Sequence, residues 1–271
     1  MNTLVLDVIE VIHNLLDTRS QVNLRMTSKY FASNLYITNL YDNVDFHRLT
    51  GEILEGYKHA VQLGLGNRYS SCNISSMHKL QKLRACGVCR INGNMLRRLT
   101  NLVVLDIRDN QVVHDINHLT NLRKLRISRG CVGDDGVKGL VGLTDLDAGW
   151  NARIRNVNHM TGLQILDARL TCGINNNGLK ELVNLRELNL DDNRNVSDVN
   201  HLTKLRWLNV GWYSGVGDEG LRDLTGLTYL DIHENDKVTK ISHMTKLEKL
   251  IAPDGSQIMD YFNRNQKLNR K

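Results

Sequence analysis

Four histidines, His118, His159, His201 and His243, recur at intervals of 41 or 42 residues, and imidazole is the commonest side-chain ligand of transition metals. Cys86-Gly-Val-Cys89 has the two-residue gap of redox and zinc pairs. His233-Glu234 begins like the HExxH zinc motif, but Lys237 stands where the second histidine belongs. None of the three completes a site. If an interval of 41 residues spans two stacked strands, equivalent histidines lie roughly 10 Å apart, whereas metal ligands must each come within about 2 Å of one ion. No second cysteine pair follows Cys89, and the chain holds no phosphate-binding glycine loop and no nucleophile elbow. The histidines are therefore expected to hydrogen-bond neighbouring turns, with no metal, no cofactor and no catalytic residue.

The elements that carry these residues are repeated phrases. Asn110-Gln-Val-Val-His-Asp-Ile-Asn-His118-Leu-Thr-Asn-Leu122 returns at 151–163, 193–205 and 235–247. A second phrase alternates with it: Val132-Gly-Asp-Asp-Gly136-Val-Lys-Gly-Leu140, then its equivalents at 174–182 and 216–224. Aligned on Leu-x-x-Leu-x-Leu-x-x-Asn, the first positions fall at Ala60, Leu80, Leu102, Leu122, Leu143, Leu163, Leu185, Leu205, Leu227 and Leu247, in steps of 20 to 22. Leu102, Leu105 and Ile107 then enter a core from one short strand, and no unit buries its apolar face alone.

This spacing resembles the leucine-rich repeat family. The resemblance implies an α/β solenoid, a curved parallel sheet of about ten repeats over residues 60–253, with 254–271 as a carboxy-terminal cap or tail. Asn110, Asn151, Asn193 and Asn235 stand where the family has its asparagine ladder. Cys89, Cys131, Cys172 and Ser214, one place further along in alternate units, resemble its cysteine-containing subtype, in which the second phrase forms a short convex helix. Extended repeat surfaces bind rather than catalyse.

Residues 1–41 follow another pattern. Val8, Ile9, Val11, Ile12, Leu15 and Leu16 have helical spacing. Asp17 or Thr18 can cap a second helix with Val22, Leu24 and Met26, and Ser28 a third with Phe31 and Leu35. Leu4, Asp7, Val8 and Ile9, with Met26-Thr-Ser-Lys29-Tyr-Phe31, resemble the opening and the end of an F-box, Val5 standing in place of its proline. The resemblance implies a small all-α F-box-like domain joined by a linker at 42–59. It further implies docking on a Skp1-like adaptor through Leu4, Val8, Ile9, Ile12 and Lys29, linking the chain to a cullin ubiquitin ligase. The alternative is a helical cap on a stand-alone interaction scaffold, since a solenoid must protect its first strand. F-box-like helices on economical repeats also resemble receptors encoded by large DNA viruses.

Between the core leucines, side chains face out. Every tryptophan of the chain, Trp150, Trp207 and Trp212, is assigned to such places, joined by Tyr229; exposed aromatics of this kind dominate protein interfaces. Charge divides along the same face. Lys82, Arg84, Arg108, Lys124, Arg126 and Arg129 come early; Asp145, Asp147, Asp167, Glu187, Asp191, Asp192, Asp231 and Glu234 come later. Either this bias steers a partner protein, or the charges pair laterally between repeats. Trp150, Trp207, Trp212, Tyr229, Arg126 and Asp191 are the expected contacts for a target protein.

Composition agrees with that class. The chain has 271 residues, 41% of them apolar, enough for a continuous core. Its formal charge of +6 does not make it a nucleic-acid binder, because the acidic half of the face would repel a phosphate track. Five cysteines without a secretion signal indicate reduced thiols inside a cell. The apolar stretch 4–16 is too short to cross a membrane. The 18 residues after Pro253 leave no room for the catalytic domain of enzymatic leucine-rich ligases. The expectation is a non-enzyme, monomeric outside its complex.

Overall fold

The computed structural model describes residues 39–40, 61–65, 73–87, 91–253 and 255–268. The proposed adaptor contacts Leu4, Val8, Ile9, Ile12 and Lys29, the linker 42–59 and Cys89 lie outside them.

Each repeat contributes three or four residues of strand, after a two-residue strand that precedes them. In chain order these are β1 (Asn39–Leu40), β2 (Gln62–Leu65), β3 (Lys82–Ala85), β4 (Val104–Asp106), β5 (Lys124–Arg126), β6 (Asp145–Asp147), β7 (Ile165–Asp167), β8 (Glu187–Asn189), β9 (Trp207–Asn209), β10 (Tyr229–Asp231) and β11 (Lys249–Ile251). They form one parallel sheet in strict sequence order. Ten strands, β2 to β11, begin two residues after the ten first positions read from the sequence, and the two-residue β1 extends the sheet ahead of them by pairing with β2. In-register pairing stacks Leu83, Leu105, Leu125, Leu146, Leu166, Leu188, Leu208 and Leu230 into one buried column. The period of two sends the residues on either side of that leucine to the opposite face.

After each strand from β3 to β10 the chain must leave the sheet sharply. It does so through a left-handed residue at Gly87, Asp109, Arg129, Trp150, Leu170, Asp192, Trp212 and Glu234, with φ between 49° and 71°. Only the first is glycine, so seven L-residues bear a strain of roughly 1 kcal/mol or more each. The conformation aims their amides at the next repeat: Asp109 N–H donates to Ser128 O at 2.9 Å, Trp150 N–H to Arg169 O at 3.1 Å.

The ladder asparagine follows at once. Asn193, fully buried, donates Nδ2 to Ala168 O at 2.6 Å while Oδ1 accepts from Asn195 N at 2.9 Å and Val196 N at 3.3 Å. Asn110, Asn151 and Asn235 do the same in their turns. Buried backbone groups thus keep partners where no sheet reaches them. Cys131 Sγ sits 3.2 Å from Val113 O and Cys172 Sγ 3.9 Å from Ile154 O, as the cysteine-type phrase implied.

The convex side carries single turns: α1 (Gly93–Leu96), α2 (Asp134–Val137), a 3-10 turn at Asn176–Leu179 and α3 (Asp218–Leu221). Their glycines let neighbouring units touch. A Cβ on Gly136, Gly178 or Gly220 would lie 2.0 to 2.1 Å from a carbonyl oxygen of the preceding unit. The four recurring histidines close this side as expected, Nε2 meeting Leu96 O, Val137 O, Leu179 O and Leu221 O at 2.9 to 3.2 Å. Residues 257–268 form α4, which packs Ile258 against the core at the end of the array beside β11.

Candidate protein-binding face

Three columns of side chains face away from the core, each column crossing the sheet. The first runs Lys82, Val104, Lys124, Asp145, Ile165, Glu187, Trp207, Tyr229, Lys249; the second Arg84, Asp106, Arg126, Asp147, Asp167, Asn189, Asn209, Asp231, Ile251. The third lies just beyond the strands and holds Arg108, Ser128, Gly149, Arg169, Asp191, Gly211 and His233.

The structure separates the three tryptophans. Trp207 lies on β9, between core leucines as read from the sequence, and Tyr229 lies beside it on β10. Their rings stack at 5.1 Å with 13° between planes, and Lys249 Nζ stands 5.3 Å from the Tyr229 ring. Trp150 and Trp212 are instead the left-handed turn residues, Trp150 one place before the ladder asparagine Asn151 and Trp212 two places before Ser214. That corrects their assignment to the strand face: a positive φ at the turn throws both rings outward, leaving them 42% and 46% exposed. Trp150 lies under the Arg129 guanidinium at 5.0 Å, and Trp212 meets His233 edge-on at 5.4 Å. Tyr213, 60% exposed and capped by Arg194 at 4.9 Å, extends the aromatic surface. Its position beside Trp212 could have marked it in the sequence.

Much of the basic half is neutralised within the face. Arg108 forks onto Asp106 at 2.8 and 2.9 Å, Lys124 pairs laterally with Asp145 at 3.3 Å, and Arg129 meets Asp109 at 3.9 Å. Asp106 is buried, which opposes its charge, but the Arg108 guanidinium and the Cys86 thiol outweigh burial and hold its carboxyl below the usual range. Burial and that same carboxylate push the Cys86 thiol up to about 11, so it is no nucleophile. Among the described residues, Lys82, Arg84 and Arg126 form no ion pair. Lateral pairing between neighbouring repeats thus holds at Lys124 and Arg129, Arg108 pairs within its own repeat, and Arg126 has no ion-pair partner among the described residues.

The acidic half is different. Arg169 and Arg194 approach Asp167 and Asp192 at 3.4 and 3.5 Å, yet Glu187, Asp191 and Asp231 have no ion-pair partner among the described residues. A Cβ on Gly211 would lie 2.9 Å from Asp191 Oδ1, so the missing side chain is what lets this carboxylate lean across the third column. Burial, then the neighbouring Asp231 and Asp192, push the Asp191 carboxyl up; Arg169 and His233 oppose them. Asp167 is likewise raised, first by burial. Among the described residues no group of three or more His, Cys, Asp or Glu side chains could hold a metal ion, and no helix is long and apolar enough to cross a membrane.

A parallel sheet of stacked 20- to 22-residue units, asparagine ladders and a convex side of single turns define a leucine-rich-repeat solenoid. No protein-family model matches the chain, and no curated protein matches it. Solved structures do share the fold. An internalin of Listeria monocytogenes (inlF) is similar with a TM-score of 0.58 and 23% identity, over 77% of this chain and 70% of its own. The functional domain of InlJ from the same organism, described as including a cysteine ladder, gives a TM-score of 0.57 and 17% identity, over 82% of this chain and 51% of that one. The TLR13–ssRNA13 complex gives 0.55 and 20%, over 81% of this chain but 36% of the receptor.

Proposed function

We propose that this chain is a non-enzymatic receptor that captures a partner protein on the outward columns of its sheet. The observation that carries this reading is the clustering of Trp207, Tyr229, Trp212 and Tyr213 on adjacent repeats, the first two half-buried with their rings stacked on the outward face and the last two exposed at the turn. Trp150 with Arg126 forms the outlying contact at the basic end, and Asp191 the acidic contact. The likeness to internalins and to TLR13 supports the fold of an interaction protein.

The F-box resemblance of residues 1–41 takes the proposal one step further. Leu4, Val8, Ile9, Ile12 and Lys29 dock a Skp1-like adaptor, and the chain serves as substrate receptor of a cullin-type ubiquitin ligase inside the cell. In a viral setting the ligase is the host's. The mechanism is proximity: a tethered substrate meets the ligase at high effective concentration, without chemistry by this chain. Free, buried Cys131 and Cys172 fit a reducing compartment.

A second reading, a stand-alone scaffold whose helices only cap the solenoid, is favoured by β1, which joins residues 39–40 to the sheet. Co-purification with a Skp1-like protein separates the two. The intact chain retains the adaptor, and Ile9→Glu releases it while the repeats stay folded. Failure of the intact chain to bind, with its helices shown to be formed, would leave the scaffold reading.

A further inference from the structure

Resting on that receptor reading, we infer that the face of β8 to β10 takes a basic segment of the partner, a lysine or arginine side chain seating against Asp191 and Asp231 between two aromatic walls. The first wall is the Trp207–Tyr229 stack in the first column. The second is Trp212, packed edge-on against His233 at the turn. Asn209 and Gly211 form the floor on β9 and the residues after it, and the notch left by the missing Gly211 side chain is where the Asp191 carboxylate leans in, its Oδ1 2.9 Å from the place of a Cβ.

Charge complementarity identifies the occupant. Asp191, Asp231 and Glu187 lack a cationic partner among the described residues, although Arg108, Lys124, Arg129, Arg169 and Arg194 are all committed to carboxylates nearby. The carboxyl of Asp191 is held up by burial and by like charges, so ionising it costs free energy that an incoming cation recovers. Aromatic faces add to such a site, since a guanidinium or ammonium is attracted to the ring quadrupole. Among the described residues that contact occurs three times, at Arg129–Trp150, Arg194–Tyr213 and Lys249–Tyr229. A metal cation is not the occupant, because the described residues offer no cluster of three ligands. An acidic segment would face Asp191, Asp231 and Glu187 directly and is rejected.

Trp212 supports the assignment in another way. An indole at φ 50° is strained, and asparagine, which accepts left-handed backbone, would serve the turn better. Retaining tryptophan there places an exposed ring beside the notch at a cost to the fold.

The test uses the full chain as bait for a random peptide library displayed on phage, followed by titration of individual labelled peptides. Selected peptides are expected to be enriched in arginine and lysine. Their affinity is expected to fall about tenfold or more in each of Asp191→Asn, Trp207→Ala and Trp212→Asn, with unfolding midpoints no lower in the first and third. Selection of neutral or acidic peptides that still require Trp207 would overturn the basic partner and leave receptor capture standing. Basic peptides whose affinity is unchanged by all three substitutions would overturn the site, and absence of any selected peptide would overturn both.

Discussion

Replacing Asn193 by alanine should remove about 4 kcal/mol from the stability of the central repeats. The side chain is fully buried and ties two units: Nδ2 serves the Ala168 carbonyl at 2.6 Å, and Oδ1 serves the Asn195 and Val196 amides. Alanine leaves the Ala168 carbonyl and the Val196 amide buried without these partners, and leaving each such group unsatisfied costs about 1–3 kcal/mol. The Asn195 amide lies nearer the surface and recovers water. Two mid-range penalties give the stated figure. Asn184→Ala is the control, because its contacts to Thr161 O and Lys204 Nζ are exposed and their loss should cost under about 1 kcal/mol. Asn193→Asp supplies a signature. Its carboxylate can accept both amides but repels the carbonyl, whereas the protonated acid can donate to it. Its folded pKa is therefore raised, and its penalty shrinks as pH falls towards the ordinary carboxylate range. Urea unfolding followed by circular dichroism measures the loss, and hydrogen exchange at Val196 locates it, since a repeat array opens locally. A loss below about 1 kcal/mol, equal to the control, would refute the ladder as a buried tie.

Gly178→Ala brings a Cβ within 2.0 Å of the Arg155 carbonyl, so adjacent units must part; the expected cost is about 3 kcal/mol, with lost exchange protection at Val157, which donates to Gly178 O. Gly162→Ala, with its nearest atom at 3.8 Å, should stay within about 0.5 kcal/mol, and equal effects would refute the close approach. Because Asp191 is raised in the folded chain, its ionised form costs stability above that pKa. Asp191→Asn should therefore raise the unfolding midpoint at neutral pH, a gain that disappears below the ordinary carboxylate pKa. The same linkage makes a basic peptide bind more weakly as pH falls through the raised pKa, with Asp231, Asp192, Arg169 and His233 facing the group; a flat profile to acid pH would count against it. Burial pushes the Cys172 thiol up to about 12, so alkylation at pH 8 should follow unfolding and not thiol chemistry. Labelling at the rate of a free thiol in the folded chain would show otherwise.

Position along the chain was readable because the repeat is a one-dimensional code. The ten first positions from Ala60 to Leu247 predict β2 to β11, and Asn193 and His201 recur because each must meet the same backbone groups of the next unit. A second polar series escaped notice although it repeats as regularly. Asn117, Asn158 and Asn200, each beside a ladder histidine, both accept from and donate to the following unit, as in Gly139 N to Asn117 Oδ1 at 2.8 Å and Asn117 Nδ2 to Asp135 O. Its signal was the same period, but an exposed asparagine reads as loop chemistry until its partner backbone is known.

The sequence by itself determined the parallel order, the core column and the face on which Trp207 and Tyr229 lie, because period and alternation require only local geometry. Only the tertiary structure decided that Trp150 and Trp212 belong to left-handed turns, that Lys124 is consumed by Asp145, and that Asp191 leans over Gly211 near Asp231 with no ion-pair partner among the described residues. Those outcomes depend on side chains 20 or more residues apart meeting across neighbouring strands, where rotamer, desolvation and competing charge set the contact. Repetition carries no information about them, since they arise where the units differ.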